Sequence, residues 1–245
     1  MVVMVRLLRV GSELHVQDTP HDTVPLLEIV QELVDFYKPQ IEQACKVCLG
    51  AFAVNDSPAY RLLMAKELRK SLANAEKTGE FVSGIDDATK ERAIFKVVDA
   101  GCGSEALRYS EGIIYLGPKA DELVEKKEGK VLVCPLLDVG VVHELSHRLW
   151  EVLRGQTIEQ DLNELEKKGA SLNKHRIYRM WNEGFATFCH DQVFVGLDER
   201  LQQVADLPLM YVEGANKVVR VLEKYGASHL TRIPRDWEQL SKEFE

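Results

Sequence analysis

The sequence predicts an α+β fold: a mixed β-sheet with helices over residues 1–155, then a mostly helical lobe over 156–245. Three observations predict it. Short apolar segments of strand length and pattern lie in the first part of the chain and stop there. After Gly155 the patterned segments have helical spacing. With 245 residues, 45% of them hydrophobic, the chain can build the core of one large domain or of two closely joined lobes. A single domain over 1–245 is expected, with the helix that ends at Gly155 at the junction of its lobes.

Residues 2–10 and 13–17 read as strands joined at Gly11-Ser12, a two-residue hairpin turn with Gly where positive φ is needed. Asp22 can cap a helix through Leu26, Ile29, Val30, Leu33, Val34 and Tyr37. Pro39 is expected to break or kink it, with a second helical stretch to about Leu49. Ser57-Pro58 pairs an N-cap with Pro at the first helical position and opens a helix to about Lys77, stopped by Gly79. Residues 92–98 and 112–116 read as strands, with Gly101-Cys102-Gly103-Ser104 in the loop between them. Residues 118–127 read as a short charged helix or turn, and 131–134 as an apolar segment leading into the junction helix. Asp138 is that helix's expected N-cap and Gly155 its stop.

The helical lobe follows. Residues 157–168 form a strongly polar, solvated helix, and 178–195 the next. Pro208 starts another, which runs to Tyr225 and stops at Gly226; Pro234 opens a short last one. That tail is amphipathic through Trp237, Leu240 and Phe244. It is expected to pack as the last helix rather than to cover a cleft.

A net charge of −8 without a Lys/Arg cluster argues against nucleic acid, which needs a basic face to neutralise phosphates. No apolar run is long enough to span a bilayer, so no membrane partner is expected. The start, Met1 to Arg6, lacks a charged n-region and a small-residue cleavage site and reads as a strand. Five cysteines form no even framework, which suits reduced thiols in a cytoplasm. Cys45-Lys46-Val47-Cys48 sits in a helical pattern with no second such pair, and reads as buried helix cysteines. The oligomeric state is left open.

Within the junction helix stands His143-Glu144-Leu145-Ser146-His147, an H-E-x-x-H pattern between the apolar runs Val139-Gly140-Val141-Val142 and Leu149-Trp150. Chance places this pattern in roughly one chain of this length in a hundred. Residues four apart share a helix face, so both imidazoles can reach one ion, with Glu144 placed to work on a water bound to it. Catalytic zinc takes three protein ligands and leaves one position open. The candidates for the third are His175, Glu183, His190 and His229. Glu183 is the best of them. A carboxylate amid Trp181, Gly184, Phe185 and Ala186 is either buried and paired or bound to metal, and the small Gly184 and Ala186 would let its helix approach the motif helix. Thr187 and His190 share its helix face and can orient a ligand. Trp150 reads as core packing.

Asn182-Glu183-Gly184-Phe185-Ala186 resembles the glutamate-ligand segment of the gluzincin metallopeptidases, especially the aminopeptidase-N-type family. Tyr211-Val212-Glu213-Gly214-Ala215 and the residues to Glu223 resemble that family's tyrosine segment. With the H-E-x-x-H they come in the family's order and cover roughly the second half of the chain. The resemblance implies a compact zincin-like catalytic domain with one Zn²⁺ held by His143, His147 and Glu183. It also implies Glu144 as general base, Tyr211 as donor to the oxyanion, and a peptide or protein substrate. Tyr225 and His229 are further donors of that kind.

Three features depart from the family. The 35 residues between His147 and Glu183 exceed its usual spacing, so the polar helix 157–168 reads as an insertion. Glu213 stands where the family has lysine, and no G-x-M-E-N amine anchor precedes the motif. Aminopeptidase specificity is therefore not implied. The alternative is a zinc-binding protein of the same fold with a scaffold role or a non-peptide substrate.

Overall fold

Antiparallel pairing builds the first sheet. In the computed structural model, which describes residues 6–10, 13–17, 26–63, 106–118, 120–127, 130–133, 135–194 and 209–244, β1 (Arg6–Val10) pairs antiparallel with β2 (Glu13–Gln17). The register sets Val10 opposite Glu13, as a two-residue connection requires. β2 continues antiparallel onto β7 (Lys130–Val133), and β7 onto β6 (Val124–Lys127), giving the order β1-β2-β7-β6. A three-stranded mixed sheet has the order β3-β5-β4, from Ala53–Asn55, Ile113–Leu116 and Leu107–Ser110. There β3 is parallel and β4 antiparallel to β5. The chain is thus of the α+β class, with helices dominating.

The chain divides into two compact units, 1–36 with 51–141, and 37–50 with 142–245. Both sheets lie in the first. The division falls inside helix α2 (Pro135–Arg154), between Val141 and Val142.

Several local expectations need correction. Helix α1 (Leu26–Cys45) runs unbroken through Pro39. The proline frees the carbonyl of Asp35, and both residues are exposed, so that carbonyl can turn to solvent. The helix ends before Lys46, at φ 54°, so no helical stretch reaches Leu49. Cys48 is therefore exposed beyond the helix, and only Cys45 is half-buried within it. Residues 124–127 are a strand rather than a continuation of the turn at Ala120–Leu123; their charged sequence suits the edge position β6 occupies. α2 starts at Pro135, which places Asp138 in its first turn instead of at its cap. Asp22, the turn 11–12, the helix beyond 63 and the strand at 92–98 lie outside the described residues.

The second unit is helical. Gly155, at φ +85°, ends α2 as expected. α3 (Ile158–Lys167) opens with a full capping box between Thr157 and Gln160. It is largely solvated, but Asp161 and Leu165 are buried. α4 (Leu172–Phe188) begins earlier than residue 178 because Ser171 caps it, and continues as a π-helical segment, Cys189–Phe194. α5 (Leu209–Tyr225) and α6 (Ile233–Glu243) complete the unit. Its core is aromatic: Trp150 lies edge-on to Phe185 and Tyr178 at 5.5 and 6.1 Å, and Tyr178 to Trp237 at 5.1 Å. Ile233, Trp237, Leu240 and Phe244 are buried, and Lys217 Nζ donates to the Phe244 carbonyl, so the tail packs as a last helix.

Candidate metal centre

The site stands entirely in the second unit. α2 places His143 and His147 one turn apart, ring centroids 4.8 Å apart and nearly perpendicular. Both are buried, as is Glu144. Ser146, between them, donates its hydroxyl to the Val142 carbonyl at 2.7 Å and so takes no part among the ligands. α4 brings in Glu183. Its Oε2 lies 3.1 Å from His143 Nε2 and 3.4 Å from His147 Nε2.

What positions α4 differs from the expectation. Gly184 does not face the motif helix; it faces Gly214 of α5. A Cβ on Gly184 would overlap the backbone of Gly214 and Ala215, and one on Gly214 would overlap the Met180 carbonyl. The two helices thus touch backbone to backbone, which only glycine allows. Tyr211 lies three residues before Gly214, and its ring stacks on His143 with centroids 5.7 Å apart. Its hydroxyl-bearing ring therefore joins the group.

The charges explain one another. Burial lowers His143 to about 4; His147 and His190 add to that, against the pull of Glu183. Burial opposes charge on His147 too, but the Glu183, Glu144 and Glu151 carboxylates outweigh it and hold that imidazole up at about 9. Burial would raise Glu183; the two imidazoles prevail and keep it well below the usual carboxylate range. The Glu183 carboxylate thus favours charge on the imidazoles, while burial and the neighbouring rings oppose it at His143.

His143, His147 and Glu183 can hold one metal ion: each offers a ligand atom, all within 4.8 Å of one another. Two imidazole nitrogens and a carboxylate oxygen suit a divalent transition metal. Tetrahedral bonds of about 2.0–2.1 Å set neighbouring ligand atoms about 3.4 Å apart, and the carboxylate-to-imidazole separations here match that edge.

The other candidate ligands stand elsewhere. His175 is half-buried in the first turns of α4. His229 stacks on Tyr225 at 4.8 Å, and the Tyr225 hydroxyl bonds Glu243. Thr187 is buried with no hydrogen-bond partner for its hydroxyl among the described residues. His190 is buried and approaches the far nitrogen of His143, Nδ1 to Nδ1 at 3.2 Å. Sequence spacing placed His190 on the right face; Asp191, whose Oδ1 lies 2.6 Å from His190 Nε2 in the π-helical segment that holds both, carried no signal.

Among the described residues, no helix is long and apolar enough to cross a membrane. Comparison of the chain with protein-family models, curated proteins and solved structures returned no match.

Proposed function

We propose that the chain is a zinc-dependent hydrolase, a compact zincin-like metallopeptidase of gluzincin type. The convergence of His143 Nε2, His147 Nε2 and Glu183 Oε2 on one point, beside a buried Glu144, carries the reading. The free thiols of Cys45, Cys48 and Cys189 suit a reducing, cytoplasmic setting. Zinc held by the three ligands supplies an activated water, its pKa near 7, and polarises the scissile carbonyl.

The chain's own residues supply the rest. Glu144 accepts a proton on its carboxylate and passes it to the leaving nitrogen; such transfers are worth about 10²- to 10⁴-fold in rate. Tyr211, held on His143 by the glycine crossing, donates its hydroxyl to the carbonyl oxygen as charge builds there, a contact worth about 3 kcal/mol. The ring of Tyr211 and the buried helix faces reduce the water available to these groups.

Metal analysis and casein or peptide-library hydrolysis test the proposal. Wild type is expected to carry near-stoichiometric zinc and Glu183→Ala to lose it. Glu144→Gln should keep the metal and lose about 100-fold or more in turnover. Zinc unchanged in Glu183→Ala would refute the ligand set, and wild-type cleavage by Glu144→Gln would refute the mechanism.

A further inference from the structure

We infer that His190 and Asp191 form a positioning chain that fixes which ring nitrogen of His143 is bare. The inference rests on the metal-centre reading. His143 turns Nε2 to Glu183 at 3.1 Å and Nδ1 to His190 Nδ1 at 3.2 Å. Two imidazole nitrogens at that separation share a single hydrogen, since two facing N–H groups or two facing lone pairs would repel.

The hydrogen's place follows from the ligand role. A neutral imidazole carries one N–H. With Nε2 of His143 bare toward an ion, its hydrogen sits on Nδ1, and His190 Nδ1 accepts it. His190 then carries its own hydrogen on Nε2, and Asp191 Oδ1 lies 2.6 Å from that atom. The pair meets in distance, though not in hydrogen-bond alignment, and both atoms are buried with no other hydrogen-bond partner among the described residues. The proposed chain requires a turn of either side chain that aligns this pair. Asp191 thereby orients His190, and His190 orients His143.

The backbone supports a built feature. His190 and Asp191 occupy the π-helical segment that follows α4, and π-turns are rare and recur at functional sites. His190 is also too buried for water to replace it as acceptor. Ligand histidines generally give their second N–H to an acceptor, and losing that acceptor typically costs about 10- to 100-fold in metal affinity.

The test compares zinc affinity, by chelator competition on the full chain, among wild type, His190→Phe and His190→Gln. Thermal unfolding of the metal-free forms is followed in parallel. Phenylalanine keeps a ring and removes the acceptor; it should weaken zinc about 10- to 100-fold. Glutamine presents a carbonyl oxygen to the same hydrogen and should recover most of that loss. A histidine-selective ¹⁵N spectrum of the zinc-loaded wild type should show His143 as the Nδ1–H form and His190 as the Nε2–H form. Equal affinity in wild type and His190→Phe would overturn the inference. So would a glutamine variant as weak as phenylalanine with unaltered unfolding temperature, or His143 in the Nε2–H form. A wild type that binds no zinc overturns the metal reading itself; zinc bound equally by all three overturns only the positioning chain.

Discussion

Helices α2 and α4 each contribute to two buried polar clusters, and the clusters are wired differently. In the first, Arg154 of α2 and Tyr178 of α4 close on Asp161 of α3. The guanidinium reaches its carboxylate at 3.0 and 3.2 Å, the phenol donates at 2.9 Å, and the Gln156 amide adds a further bond. One carboxylate meets one cation and two neutral donors. In the second cluster, His143, Glu144 and His147 of α2 meet Glu183 of α4. Two carboxylates and two imidazoles crowd together there, and the buried Nδ1 of His147 has no hydrogen-bond partner among the described residues. A balanced buried network can serve the fold. A cluster with ligand atoms converging and a nitrogen left over is a poor device for stability, because each uncompensated polar group is costly.

The largest expected effect tests that contrast. Asp161→Ala strips the partner from a largely buried guanidinium and from the Tyr178 hydroxyl, and should cost about 3 kcal/mol or more of unfolding free energy. Glu183→Ala in the metal-free protein should cost less than half as much. It also removes a desolvated carboxylate, and His147 can release its proton when that charge is gone. Denaturant unfolding reads both. Equal losses, or the reverse order, would break the comparison.

Gly214→Ala probes how the second cluster is assembled. Its methyl group would strike the Met180 carbonyl and lie 2.8 Å from Gly184 Cα, so α5 must move off α4 and carry Tyr211 with it. Overpacking of this kind costs about 1–3 kcal/mol. The Asp161 cluster has no member on α5, so its hydrogen bonds should survive. A thermal midpoint equal to wild type would show that the helices are not in backbone contact.

The two clusters also differ in how far the sequence discloses them. The H-E-x-x-H spacing sets both imidazoles on one helix face, and the carboxylate of Glu183 amid apolar neighbours marks itself as engaged; it is half-buried and reaches both rings. Asp161 looked like one more solvated charge in a polar helix; its burial arises from Arg154 and Tyr178, seven and 17 residues away, which no local pattern connects. Gly184 was legible as a point of close approach, but the partner helix was not, since a glycine shows that a neighbour is near and not which one. Pro39 misled for a related reason: a proline's effect depends on whether the freed carbonyl meets water, and that is a property of the helix's surroundings. His190 was legible on the Glu183 face, but Asp191 was not, since its place beside that ring depends on a π-turn, which leaves no trace in spacing counted at 3.6 residues per turn.

The smallest effect separates the clusters by pH. Burial, and then the Asp161 charge, push the Tyr178 phenol far above its ordinary range. An unfolded tyrosine ionises near pH 10. Above that pH the unfolded chain gives up a proton that the folded chain keeps, so stability present below about pH 10 is lost as pH rises, by up to about 1.4 kcal/mol per unit. His147, raised from 6.5 to about 9, contributes stability that is full below about pH 6.5 and gone once pH has passed about 9. Its share in the metal-free protein is therefore spent before the Tyr178 window opens. Tyr178→Phe should cost about 1 kcal/mol near neutrality, through the lost hydrogen bond to Asp161. Its stability should then fall less steeply than that of wild type above about pH 10. Urea midpoints across pH 7 to 11 measure both curves. Parallel curves above pH 10 would mean that the folded phenol ionises freely, and the first cluster would lose its claim to be closed to solvent.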